Sequence, residues 1–339
     1  MTAAAIVFAT LSALSSACGA VLQRFAAVNQ ASMTSTAAKP RWRAAIDLVR
    51  QPAWLFGTLF LVGTFGFQAL ALYFGPLALV QPILVLELIF TLAVRVFWFH
   101  DPVAGRTWGA AMAICAGLGA FLVTAAPGEG DAVPGAGAWL MAVLTRGLAV
   151  GVLLLLARRG SPGRRAALYG AATAVVWSLD AAFVKASVDT LAHGGLLTLI
   201  TSWPLYAMIV TGLLGMALLQ AAYAVGPLAS SQASMLIVDP IASIVLGAEL
   251  FGERLRMTPG YAAGSVLALL VLAAGVIALS VWAPPVMEAA RAAGPATPAE
   301  PAPIPRRIDV QSDIGNTGLH VVRGDPDPAP AEVRTGPRL

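Results

Sequence analysis

The chain has 339 residues, 58% hydrophobic and 11% charged, with a mean hydropathy of +0.79 and a formal net charge of +4. Soluble domains carry about 25% charge, so charge this sparse cannot cover a water-soluble globule and the apolar excess is expected to face lipid. The positive balance lies in loops and in the C-terminal stretch, which points to membrane topology and away from nucleic acid.

A spanning helix needs about 20 mostly apolar residues. The opening run MTAAAIVFATLSALSSACGAVLQ lacks the basic region of a signal peptide and predicts a retained first span over 3–24. Further spans are predicted over 53–74, 77–98, 107–125, 137–157, 167–188, 203–224, 228–250 and 258–282. Gly75-Pro76 and Gly226-Pro227 mark tight hairpins, with proline suited to opening the next helix. The stretch PGEGDAVPGAG at 127–137 reads as a loop. Residues 284–339 are rich in Pro, Ala, Arg and Asp, cannot bury enough apolar area to offset their ordering entropy, and are predicted to be a disordered tail. The expected fold class is therefore all-α: a polytopic transmembrane bundle of about nine helices. Cys18 and Cys115 stand in apolar runs without a CxxC pattern, so they read as packing residues.

Loop charge sets the expected orientation. Lys39, Arg41, Arg43 and Arg50 follow the first span, Arg158, Arg159, Arg164 and Arg165 follow the fifth, and six more arginines lie in the tail. The positive-inside rule then places the protein in the plasma (cytoplasmic) membrane with its N-terminus outside and its tail in the cytoplasm. Arg254 and Arg256 stand on the other side.

The chain repeats itself. GPLALVQP at 75–82 returns as GPLASSQA at 226–233, and the same offset of 151 carries Thr107 onto Thr258 and Gly109 onto Gly260. AVLQRFA at 20–26 is similar to AAFVKAS at 181–187, with a different offset. Four spans, one connecting span and four more make an odd number, so the second set enters from the opposite side. The expected organisation is a first repeat over 1–126, a connecting helix with loops over 127–166, a second, inverted repeat over 167–283, and the tail from 284. Inverted repeats recur in secondary transporters, and inversion accounts for Arg254 and Arg256 lying outside.

Polar groups in the bilayer centre are the candidates for chemistry, since a charge there costs about 2.5–3.5 kcal/mol on insertion scales. Glu87 stands in ILVLELIF and Asp239 in LIVDPIAS, one residue out of register between the repeats. Pro240 is expected to weaken its helix and free a carbonyl. A carboxyl away from water can take up and release a proton. Two readings of each residue stand: proton coupling or cation binding, and a protonated or paired structural carboxyl. Asp180 is a third candidate, and Lys185, with its counterpart Arg24, is expected to snorkel to the interface. Gln81 and Gln232 match between repeats, and Gln68 and Gln220 nearly do; their amides suit a polar substrate or join helices. Arg95 suits interfacial anchoring, and Glu249, Glu253 and Arg254 are expected to stabilise the end of the eighth span. Gly147/Gly151 and Gly260/Gly264 have the spacing of helix-packing pairs. Trp42, Trp54, Trp98, Trp108 and Trp203 are placed near interfaces, as aromatic belts are. HExxH, GxSxG and P-loop motifs do not occur, so neither an enzyme nor an ATP motor is expected. No cofactor is expected, and no metal-ligand set is legible.

GAVLQR, QPAWLFG, ALALYFGPLALVQP and GLGAFLV in the first half, with VKAS, LLQAAYAVGPLASSQ and LFGERL in the second, resemble the drug/metabolite transporter (EamA-like) superfamily, most closely its NIPA-type branch. The resemblance covers roughly residues 3–282. It implies a transporter of a small molecule or, in the NIPA-type branch, of magnesium. The expected function is a secondary transporter working by alternating access on a small-molecule or cation substrate in a lipid bilayer. A magnesium transporter is the alternative within that class, and a non-transporting scaffold or sensor is the alternative outside it. Reporter fusions at residues 2 and 330 test the predicted topology: opposite sides are expected, and the same side would refute the odd number of spans.

Overall fold

The structure, a computed structural model, describes residues 2–34, 51–99, 104–130 and 133–282. Lys39, Arg41, Trp42, Arg43, Arg50, His100, Asp101 and the tail lie outside the described residues, as do the side chains of Arg24, Arg95 and Trp98. Ten helical segments follow in order: α1 (Thr2–Thr34), α2 (Pro52–Phe74), α3 (Leu77–Leu84), α4 (Glu87–Phe99), α5 (Gly105–Ala125), α6 (Ala136–Leu156), α7 (Pro162–Thr201), α8 (Trp203–Val225), α9 (Leu228–Phe251) and α10 (Pro259–Trp282). Among the described residues nine helices are long and apolar enough to cross a membrane, with α3 and the first part of α4 forming one of them. The chain is a multi-pass, all-helical membrane protein.

The third predicted span differs from expectation. It is not continuous but breaks between Leu84 and Glu87. Pro82 lies inside α3 and has no N–H for the helical ladder. The chain then tightens into short turns: Val85 N–H donates to the Pro82 carbonyl at 3.3 Å, Leu86 N–H to Ile83 at 3.0 Å, and Leu88 N–H to Val85 at 3.1 Å. Glu87 consequently opens α4 instead of lying within a helix. At Pro240, where the helix is expected to weaken and free a carbonyl, α9 runs on without a break. One missing N–H is tolerated in a membrane helix held by its neighbours. The sixth predicted span is the middle of a longer α7, which kinks at Gly195, where φ is +73°. That value lies in the left-handed region that glycine adopts without a Cβ penalty.

α7 is the central helix. Its apolar window is 72% buried, against 17% in α2 and 17% in α6. Leu59, Val62 and Phe65 of α2, and Leu144 and Leu148 of α6, are exposed apolar side chains on those outer helices. In water such a surface would aggregate; in lipid it is solvated. α1 packs along α2 and against α3 and α4; α7 packs along α8 and α9; α5 lies on α10, and α3 meets α9.

The α5–α10 contact is made by glycines, though not by the predicted pairs. A Cβ on Gly117 would stand 2.5 Å from the Leu272 nitrogen, and one on Gly275 would stand 2.9 Å from the Ile114 nitrogen. A Cβ on Gly147, Gly151 or Gly260 would meet nothing within 4 Å, and one on Gly264 would meet only the Thr124 side chain. The backbones of α5 and α10 therefore touch where spacing alone gave no sign. The segment after α5 is also pinned to the segment before α10: Gly128 and Arg254 exchange backbone hydrogen bonds at 2.9 and 3.2 Å, and Arg256 N–H reaches the Ala125 carbonyl at 2.8 Å.

Gly117→Ala and Gly275→Ala should each lower stability by about 1–3 kcal/mol through overpacking, read from denaturant unfolding in detergent. Gly151→Ala should be neutral or stabilising. Equal effects at all three positions would contradict the packing described.

Candidate functional site

A cavity of about 280 Å³ lies between the helices, with walls drawn from α1, α2, α3, α4, α7 and α9. Ser12, Ala13 and Ser16 come from α1, Thr64 and Gln68 from α2, Gln81 and Leu84 from α3, and Glu87 from the start of α4. Trp177 and Asp180 come from α7, and Met235, Leu236, Asp239 and Pro240 from α9. Most of these positions fall near the middle of their helices. In a membrane-spanning bundle that is mid-depth, the level at which polar groups cost most.

Five of the seven residues predicted from sequence therefore share one cavity: Glu87, Asp180, Asp239, Gln68 and Gln81. The other two stand outside it. Gln220 is exposed, and its amide contacts the Met216 sulfur at 3.9 Å. Gln232 is half-buried and shares a hydrogen bond with Tyr223. The near-equivalent glutamines of the two halves thus diverge, and the polar wall comes from the first half's amides and both halves' carboxyls.

The three carboxyls are held differently. Ser16 donates to the Glu87 carboxyl, and the break after Pro82 sets Glu87 at the first residue of α4, whose first-turn N–H groups are bonded back to the Val85 and Leu86 carbonyls. Thr211 of α8 donates to Asp180 Oδ1 at 2.8 Å. Asp239 Oδ1 is buried with no hydrogen-bond partner; Ser243, one turn on, is near enough to be felt electrostatically, but its Oγ is also without a partner. Pro240 has no N–H to offer the carbonyl of Leu236, which stands on the same wall. Among the described residues no three of His, Cys, Asp and Glu come together as a metal-ion site.

A second constellation lies at one end of the bundle. Glu253, whose side chain has no exposed surface, accepts from Leu77 N–H at 2.7 Å and from Ala78 N–H at 3.0 Å. It thereby caps the N-terminus of α3, where the helix dipole favours a carboxylate. Lys185 donates to Glu253 Oε1 at 3.0 Å and to the Gly75 carbonyl at 3.2 Å, and its ammonium lies 5.0 Å from the Phe251 ring centre. Lys185 is thus paired, contrary to the expectation that it snorkels. Phe251 joins Trp139, Phe183 and Trp203 in an aromatic cluster with ring centres 4.9–6.1 Å apart. Glu253 does more than finish α9: it ties α9, α7 and the turn between α2 and α3 together.

The chain is 30% identical over 279 residues to the uncharacterized protein Cgl0250/cg0304 of Corynebacterium glutamicum, a match that covers 81% of this chain and 94% of the relative. The two proteins belong to one family. No protein-family model and no solved structure matches the chain.

Arg146 and four residues of the cavity wall were not singled out from the sequence. Arg146, in the middle of α6 and 9% exposed, forms an ion pair with Glu249 of α9. It is a lone arginine in an apolar span, and the cost of burying charge was a sufficient signal. Trp177, Ser12, Ser16 and Thr64 carry no such signal, because serine, threonine and tryptophan are ordinary residues in membrane helices. Lys185→Met should destabilise by about 3–5 kcal/mol, since it leaves the Glu253 charge buried with two backbone N–H groups but no counter-charge. Lys185→Met with Glu253→Gln should lose less than Lys185→Met alone in the same unfolding assay; additive losses would show that the two side chains are not coupled.

Proposed function

We propose that the chain is a secondary transporter of the drug/metabolite class that moves a small solute by alternating access. The observation that carries this reading is the mid-depth cavity with an orphaned carboxylate oxygen, bounded by the first helices of both halves. A buried polar atom without a partner is costly and suits a site that is completed by a visiting solute.

The packing supports an inverted repeat. α2 and α8 are both 23 residues long, and their starts and ends, Pro52 to Trp203 and Phe74 to Val225, are the same 151 residues apart. Each ends at an extended glycine, Gly75 or Gly226, followed by a proline that opens the next helix. α1 contacts α2, α3 and α4 as α7 contacts α8 and α9, while α5 meets α10 and α3 meets α9, as elements paired across a two-fold axis do. A helix count of four, one and four gives the two halves opposite directions.

Chain parity and the positive-inside rule put the Glu253 constellation on the outer face. In this state the outer face is closed by Lys185, Glu253 and the aromatic cluster. Alternating access requires that this closure open while a corresponding contact forms on the cytoplasmic face. The break in α3–α4 at Glu87 supplies a joint at the depth of the cavity.

In proteoliposomes with an entrapped pH dye, a panel of small solutes should include at least one whose addition moves protons. Glu87→Gln with Asp239→Asn should abolish that movement while leaving the protein inserted. Vesicles in which no solute of the panel crosses or moves protons would sink the transporter reading, and undiminished flux in the double variant would sink the role of the carboxyls.

A further inference from the structure

We infer that the cavity takes a small organic ammonium ion bearing N–H groups, a proposal that rests on the transporter reading only for what becomes of the ligand after binding. Charge is the first argument. Glu87, Asp180 and Asp239 enter the cavity wall from α4, α7 and α9, and none of the described lining residues is Lys, Arg or His. The described cations deepest in the bundle are engaged elsewhere: Lys185 with Glu253 and Gly75, and Arg146 with Glu249. An anionic solute would face three acidic groups with no cation to answer it, at a depth where the local dielectric is low.

Hydrogen bonding narrows the class. Asp239 Oδ1 is an acceptor without a donor, and an ionised carboxylate can only accept. A primary or secondary ammonium supplies the missing donor. A quaternary ammonium supplies charge but no N–H. The amides of Gln68 and Gln81 add both donors and acceptors to the same wall. Gln81 is 2% exposed, so the contact available to it is with the cavity.

Size and aromatic lining agree. A volume of about 280 Å³ is at the lower end of small-molecule sites, which suits a compact amine. Trp177 stands on the wall, and an indole face attracts a cation within about 6 Å. Its place depends on Gly215, where a Cβ would fall 2.2 Å from the indole nitrogen.

The same geometry disfavours a bare metal ion. Magnesium wants oxygen ligands at about 2.0–2.1 Å in near-octahedral order. Here Glu87 is engaged by Ser16 and Asp180 by Thr211 on another helix, and the described acidic residues do not converge as a metal site. Dispersed carboxyls answer a molecule that reaches across a cavity.

The test uses the full chain in lipid nanodiscs, titrated by calorimetry with benzylamine, benzyltrimethylammonium, benzyl alcohol and magnesium chloride. Benzylamine should bind saturably, and the other three should bind at least about tenfold more weakly, as expected for loss of one charge-assisted hydrogen bond. Asp239→Asn should weaken benzylamine by about tenfold or more. Asp180→Asn, on α7, should also weaken it and serves if the first variant fails to insert. The proposal is overturned if benzylamine does not bind, if benzyl alcohol or the quaternary ion binds as well, if neither variant changes amine binding, or if magnesium binds and is lost in these variants. A proteoliposome arm separates the two readings. Amine binding without flux upholds the cation site and removes the transporter. Flux of a neutral or anionic solute without amine binding upholds the transporter and overturns the cation site.

Discussion

The buried Glu253 carboxylate fixes the positions of several helices at once. Its side chain has no exposed surface, so its charge must be answered by protein. Two backbone N–H groups at the start of α3 and the Lys185 ammonium of α7 do so. The donors come from two distant places in the chain, and they are usable together only if the helices meet at one point. The Gly75-Pro76 turn contributes from both sides: its carbonyl takes the second Lys185 hydrogen bond, and its proline starts the helix whose N-terminus receives the carboxylate. The extended segment after α9, with its Gly128–Arg254 bridge, holds Glu253 in that place. An ion pair of this sort adds little net stability compared with apolar packing, but removing one member is costly. That asymmetry makes it a device for specifying one arrangement.

The cavity follows from the same frame. With α3 anchored at its N-terminus and interrupted after Leu84, the span changes character at the depth where Glu87 begins α4. α9, which meets α3, keeps its helix through Pro240 and presents Asp239 to the cavity. Two similar sequences therefore reach one depth by different routes, one by a break and one by a continuous helix lacking a single N–H. The difference has a local cause. Pro82 falls in an eight-residue helix with little ladder on either side, whereas Pro240 has a full helix on both sides.

Much of the fold was legible because bilayers impose crude rules. Nine apolar runs, hairpins at Gly-Pro and the alignment of GPLALVQP with GPLASSQA required only length, composition and comparison of the chain with itself. Glu87, Asp180 and Asp239 stood out because charge in an apolar run is costly, and all three line one cavity. What escaped was what depends on contacts between distant segments. Nothing near Glu253 indicates that its acceptors will be used 175 residues away, at Ala78. Gly117 and Gly275 lack a spacing motif, yet the α5–α10 backbones meet there. Gln220 stands one residue out of register with Gln68 and faces away, since one residue turns a helix by about 100°.

The three carboxyls also differ in what is left for a ligand to do. Glu87 has a serine hydroxyl and Asp180 has a threonine hydroxyl, so part of the demand of each is met by the protein itself. Asp239 has the Ser243 hydroxyl one turn on, but its Oδ1 makes no hydrogen bond. An unsatisfied acceptor costs about 1–3 kcal/mol in a protein interior, and that cost is removed when a donor arrives. A ligand that satisfies Asp239 gains more than one that merely displaces Ser16 or Thr211 from bonds already made. Binding at this one oxygen, between α9 and the joint of α3–α4, also places the ligand against the two elements whose relative position a change of access would have to alter.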